Sequence, residues 1–310
     1  MNGVGEQMDG AGARMSGADE RVDGAGAGAD GAGSRAERAG AAVDRAGAGV
    51  VAGDAPRIKP GIAPSKVPSM TPSIAPEFAA RVLRHEPLSK HTSWHAGGPA
   101  ELFFTPRDAA DLAEFLKQLP ADVPLLVIGL GSNLLVRDGG VRGVVVSLHG
   151  ALGKLERRGA AEVYAEAGVP CARIARQCIK WGLGAADFFA GIPGTLGGAL
   201  AMNAGAWGGE TWRQVIDVDV VDRGGACHVR PASEYAIGYR EVRGPRNEWF
   251  VAARLKFPPA PGATDAVMRE LLEKRRLTQP IGEWSCGSVF TNPPGGYAAQ
   301  LIESAGLKGF

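Results

Sequence analysis

Gly191-Ile192-Pro193-Gly194-Thr195-Leu196-Gly197-Gly198-Ala199-Leu200-Ala201-Met202-Asn203-Ala204-Gly205-Ala206 is a stretch built almost wholly of small residues. Side chains this small let a backbone lie flat against a bulky neighbour, either a cofactor ring or another backbone. A close-packed helix of small residues has the same composition. The stretch by itself leaves both readings open.

Upstream, Ile128-Gly129-Leu130-Gly131-Ser132-Asn133-Leu134-Leu135-Val136 sets a second glycine turn after the apolar run Leu125–Ile128. Glycines bring backbone N–H groups close to a diphosphate, and Ser132 and Asn133 add side-chain donors. This is not the dinucleotide fingerprint, because Leu134 stands at the third glycine position. A tight turn between strands explains the same residues. Downstream, Ser285-Cys286-Gly287-Ser288-Val289-Phe290-Thr291-Asn292-Pro293 joins a bend at Gly287 to the Ser288 hydroxyl. Asn292, preceding a proline, is held extended. No Gly-x-Ser-x-Gly elbow occurs, which excludes that hydrolase nucleophile. Gly238-Tyr239-Arg240 sets a guanidinium beside an aromatic ring, an arrangement that a surface arginine also adopts.

The segments between these motifs mix helices and strands. Thr105-Pro106-Arg107-Asp108 predicts a helix start capped by Thr105, and Leu112, Phe115, Leu116 and Leu119 share its apolar face. Leu125–Ile128 and Gly143–Val146 predict short buried strands. Residues 170–181 predict a helix with Ile174, Cys178 and Trp181 along one side and Gly182 just past its end. Val215–Asp222 predicts a half-buried strand and Phe250–Leu255 another. A Pro-Gly linker at 258–262 marks a domain boundary, followed by helical segments at 264–277 and 298–305. The fold class is α+β, without a regular β-α-β-α rhythm. Asp138 reads as a turn former, His95 as structural or exposed, and Cys286 as a small buried filler.

Composition narrows the function classes. The chain has 310 residues, 45% of them hydrophobic, enough for a real core and about two domains. Lys and Arg number 34 against 33 acidic residues, which argues against a nucleic-acid partner. No apolar run is long enough to span a membrane, and no signal-peptide core is visible. Cys171, Cys178, Cys227 and Cys286 show no metal-ligand spacing and read as reduced thiols of a cytoplasmic protein. Residues 1–50 hold 13 Gly and 13 Ala, and Pro56, Pro60, Pro64, Pro68, Pro72 and Pro76 follow at a spacing of four. Segment 1–77 is therefore expected to be a disordered extension.

Thr92-Ser93-Trp94-His95-Ala96-Gly97-Gly98-Pro99-Ala100, the Gly129–Val136 turn, Gly191–Ala206, Tyr239-Arg240 and Gly287–Pro293 together resemble the UDP-N-acetylenolpyruvoylglucosamine reductase family over roughly residues 85–310. The resemblance implies an FAD-binding domain of the vanillyl-alcohol oxidase (PCMH) type, with subdomains at 78–150 and 151–258, then a substrate-binding domain at 259–310. It implies FAD as cofactor, NADPH as hydride donor, a UDP-sugar substrate in peptidoglycan synthesis, and a monomer. Gly129, Gly131, Ser132, Asn133, Gly191, Ile192, Pro193, Gly194 and Gly198 are then expected to hold FAD. Arg240 is implied as the cation facing the enolate-like charge, and Ser288 as the acid that protonates the substrate α-carbon. Tyr239, Arg276 and Asn292 are implied on the substrate, and no metal is implied.

Three features depart from the family pattern. Glu241-Val242-Arg243 follows Arg240 where a Ser two residues on is usual, and Thr291 replaces a basic residue. The sequence ends at Phe310, ahead of the strand that carries a catalytic Glu in the family. The resemblance therefore implies a reductase. The alternatives are a catalytically inactive FAD-binding fragment of one, or another flavin oxidase of the same fold.

Overall fold

The computed structural model describes residues 74–279, 284–285 and 287–309. The expected extension lies outside the described residues up to position 73, and so does Cys286. Ile74 and Ala75, assigned above to the extension, pack against the core of the first lobe.

That lobe comprises α1 (Pro76–Ala79), β1 (Val82–Pro87), β2 (Pro99–Phe104), α2 (Ala109–Gln118), β3 (Leu125–Ile128) and β4 (Val141–Ser147). The strands form one sheet in the order β1-β2-β4-β3, parallel except for β1. Val144, Val145 and Val146 of β4 are all buried, as expected of a central strand covered on both faces. Phe104 stacks on Phe115 of α2 at 4.0 Å, and Phe78 meets both rings edge-on. Helix α2 begins later than its sequence suggests. Asp108, not Thr105, is the cap, and its carboxylate accepts the Asp111 N–H at 2.8 Å. Asp111 in turn accepts the Arg107 N–H at 2.9 Å, so residues 105–107 stay outside the helix. Asp caps at least as well as Thr, and here it satisfies a free donor of the first turn.

The second lobe contains β5 (Leu155–Arg158), β6 (Glu162–Glu166), α3 (Cys171–Lys180), α4 (Leu196–Met202), β7 (Gly205–Ala206), β8 (Gly209–Glu210), β9 (Val215–Asp222), β10 (Cys227–Pro231), β11 (Ala236–Gly238), β12 (Glu241–Arg243) and β13 (Glu248–Lys256). Its main sheet is antiparallel, in the order β10-β9-β13-β6-β5. Val163, Val218, Val220 and Leu255 pack there with Ile174 and Cys178 of α3 and Leu196 and Leu200 of α4. Past α3, Leu183 N–H returns to the Cys178 carbonyl and Gly182 N–H to that of Ile179, both at 2.9 Å. This is the glycine stop the sequence suggests. Strand β9 differs from its reading as half-buried. Asp217 and Asp219 lie on its other face as expected, but Val221 near the strand's end joins Leu112, Phe115 and Leu116 of α2, so the first lobe covers that end.

Two helices follow, α5 (Ala266–Thr278) and α6 (Ala298–Ser304). Met268 of α5 reaches the core of the second lobe. Among the described residues no helix is long and apolar enough to cross a membrane.

Candidate active site

The two glycine turns are pressed against each other. A methyl group on Gly129 would lie 2.2 Å from Thr195 Oγ1 and 3.1 Å from its Cβ. One on Gly194 would lie 3.3 Å from Ser132 Oγ. Gly131 has φ 64°, and a methyl there would come within 1.9 Å of the His91 carbonyl oxygen. Ser93 N–H donates to the Gly131 carbonyl at 3.2 Å, which brings the 92–98 segment to the same place. Backbone pairing holds the second turn: Cys171 N–H donates to Gly194, Leu196 N–H to Val169 and Gly197 N–H to Ala167, at 2.8–2.9 Å.

Both readings of the small-residue stretch therefore hold in part. Leu196–Met202 is a helix, while Gly197 allows close approach to Ala167, and Gly191 to Ala206 and the Trp207 ring. Gly198 is exposed with open space beside its Cα, and Ile192 is buried while Pro193 is exposed. Neither 129–136 nor 191–198 contains an acidic residue. Ser132, Asn133, Gly194 and Gly198 leave hydroxyl, amide and backbone donors at the accessible rim. A donor set free of carboxylates suits the diphosphate of FAD. In the 92–98 segment, one residue past the Ser93 contact to Gly131, the buried indole nitrogen of Trp94 has no hydrogen-bond partner among the described residues. Such an orphaned donor fits a site completed by a bound group.

Helix α5 reaches this region through an arginine other than the expected one. Arg275 Nη1 donates to the Gly191 carbonyl at 2.5 Å, and burial lowers the Arg275 pKa. Arg276 lies on the exposed side in a bidentate pair with Glu273, at 2.8 and 2.9 Å. The signal that distinguishes them is helical spacing. Arg275 follows the buried Met268 by two turns and shares its face, whereas Arg276 does not.

Tyr239 and Arg240 form the turn between β11 and β12. Arg240 is left-handed, with φ 55°, and its guanidinium carbon lies 5.7 Å from the centre of the exposed Tyr239 ring. Arg240 Nη1 donates to the Ser288 carbonyl at 3.1 Å across 48 residues of sequence. Ser288 Oγ donates to the Phe290 carbonyl at 3.2 Å. Asn292 Oδ1 accepts the Ala298 N–H at 3.1 Å and so caps the start of α6. The unusual Glu241 pairs with Arg243 at 2.8 Å, which neutralises the extra carboxylate beside Arg240. His95 is exposed and tilts against Trp284, 5.0 Å between ring centres.

Known proteins share this architecture. The FAD binding domain family model matches residues 100–229, and that of the UDP-N-acetylenolpyruvoylglucosamine reductase C-terminal domain matches 279–310. The UDP-N-acetylenolpyruvoylglucosamine reductase of Alkalilimnicola ehrlichii is 58% identical over 229 residues, 73% of this chain and 76% of that protein. The one from Methylococcus capsulatus is 56% identical over 228 residues, 73% of this chain and 75% of that protein. The crystal structure of the Thermus caldophilus reductase matches with a TM-score of 0.63 at 33% identity, covering 74% of this chain and 82% of that one. The mixed α+β lobes are thus an FAD-binding domain of the PCMH type. The chain belongs to the UDP-N-acetylenolpyruvoylglucosamine reductase family, the FAD- and NADPH-dependent enzymes of peptidoglycan synthesis.

Proposed function

We propose that Arg240 and Ser288 carry the reaction of this family, the reduction of UDP-N-acetylglucosamine enolpyruvate to UDP-N-acetylmuramate. When bound, FAD supplies hydride chemistry between NADPH and the enolpyruvyl β-carbon. Negative charge then gathers on the α-carbon and its carboxylate. The Arg240 guanidinium offsets that charge at a preorganised position. Ser288 gives its hydroxyl proton to the α-carbon, turning away from the Phe290 carbonyl to do so. An isolated serine is a poor acid, so the neighbouring guanidinium is needed to stabilise the alkoxide left behind. The observation that carries this reading is the 3.1 Å contact between Arg240 and the Ser288 backbone.

Tyr239, Arg276 and Asn292 contact the UDP-sugar, and Arg275 steadies the Gly191 turn through its carbonyl. Gly129, Gly131, Ser132, Asn133, Gly191, Ile192, Pro193, Gly194 and Gly198 hold FAD. Residues 78–150 and 151–258 act as the flavin-binding subdomains, and 259–310 as the substrate side. The protein works as a monomer in the cytoplasm, a placement supported by the unpaired thiols Cys171, Cys178 and Cys227. Sedimentation velocity tests the monomer. Arg240→Gln and Ser288→Ala should each slow substrate-dependent NADPH oxidation about 10²–10³-fold with the flavin absorption bands intact. Wild-type turnover in either variant would remove that residue from the mechanism.

A further inference from the structure

Asn203 ends helix α4 within the small-residue stretch, and none of the roles above uses it. It follows α4 in the left-handed conformation, with φ 41°, and is 8% exposed. Its amide is fully engaged. Oδ1 accepts the Trp212 N–H at 3.2 Å, while Nδ2 donates to the Gly238 carbonyl at 3.3 Å and to the Glu210 carboxylate at 3.4 Å. Gly238 is the last residue of β11, immediately before the Tyr239-Arg240 turn. One buried side chain thus ties the end of the helix that follows the Gly191–Gly194 turn to the hairpin that presents Arg240.

The hairpin needs such a tie. Strands β11 and β12 have three residues each and form a separate two-stranded sheet. A sheet that small is marginal by itself, so its position comes from what it rests on. We propose that Asn203 is a positioning residue that acts through the Gly238 carbonyl to set Arg240 relative to the flavin loops. The proposal rests on the reading of Arg240 as the substrate-facing cation. A displacement of about 1 Å at such a group can cost about 10²-fold in rate.

Asn203→Gly tests this, because glycine keeps the left-handed backbone and removes only the amide. Asn203→Asp is the companion. It keeps the acceptor for Trp212 but turns an oxygen toward Gly238 and Glu210, and it decides the matter if the glycine variant fails to take up FAD. Stopped-flow absorbance separates flavin reduction by NADPH from flavin reoxidation by UDP-N-acetylglucosamine enolpyruvate. Flavin fluorescence gives FAD affinity, and calorimetry gives UDP-N-acetylmuramate affinity independently of turnover. The expected result is near-wild-type FAD affinity and reduction, reoxidation slowed about 10- to 100-fold, and weaker product binding. The Arg240→Gln/Asn203→Gly double variant should then be no slower than Arg240→Gln alone. Wild-type reoxidation with wild-type product binding would overturn the proposal. So would a parallel loss of FAD affinity and both half-reactions in Asn203→Asp as well as Asn203→Gly, or a double variant slowed by the product of the single effects. If Arg240→Gln itself leaves reoxidation and product binding unchanged, the reading of Arg240 fails instead.

Discussion

Arg240 holds a backbone conformation that costs a non-glycine residue about 1–2 kcal/mol. On the proposed reading of Arg240, the chemistry of its side chain, not the turn, accounts for an arginine at this position. Arg240→Gly is therefore expected to move stability and activity in opposite directions. The melting temperature should rise slightly while substrate reduction falls at least as far as in Arg240→Gln. A variant that melts lower than the parent would show that the arginine holds the turn rather than straining it. Residue identity at this scale was partly legible. Arg240 and Ser288 stand in motifs quoted from the sequence, and the structure joins them. Arg275 was not singled out, because adjacent arginines differ only in the helix face they occupy. Nor was Thr195, whose part depends on a glycine in the other lobe.

At the scale of the element, α2 carries a buried charge, Asp111. Asp111 is buried, which alone would raise its pKa. Hydrogen bonds from Arg81 and Arg107 outweigh burial and hold the carboxyl at about 2 against 3.8 unperturbed. Because the folded value is depressed, the stabilisation is complete above pH 3.8 and is lost as pH falls through about 2. The shift corresponds to about 2 kcal/mol. Asp111→Asn should lower stability by about that amount at pH 7, as read by urea denaturation, with a smaller deficit at pH 2. A constant deficit across that range would mean that packing, not charge, accounts for it. The bodies of α2, α3, α5, α6, β3, β4, β9 and β13 were readable from the sequence, and their ends less so, whereas β1, β2, β5, β6, β10 and the short hairpin strands were not anticipated. Asp108 displaces Thr105 as the cap because the interaction that settles it involves Asp111 and Arg107 together. The covered end of β9 was illegible for a similar reason. Only the packing of α2 on Val221 reveals it.

At the scale of the whole molecule, the two glycine turns proposed to hold FAD come from both lobes and meet in space. A group that bridges them stabilises the folded state by mass action. Saturating FAD at a hundredfold excess over its dissociation constant should add about 2.7 kcal/mol, visible as a concentration-dependent rise in melting temperature. Gly131→Ala should abolish the rise, because its methyl group would sit 1.9 Å from the His91 carbonyl oxygen. An unchanged rise in that variant would place the flavin elsewhere. Sequence motifs singled out both glycine turns. That they touch, through Gly129 and Thr195, is a property of the assembled lobes that neither stretch carries alone.

That contact also limits how this protein can be reassembled from parts. Thr195 Oγ1 fills the space a side chain at position 129 would need, so each lobe is cut to the shape of the other. A shuffled gene that takes its first lobe from one parent and its second from another inherits a working seam only when the small residue and its filler arrive as a matched pair. A crossover between the lobes is therefore safe for each lobe's own core and hazardous for the surface they share.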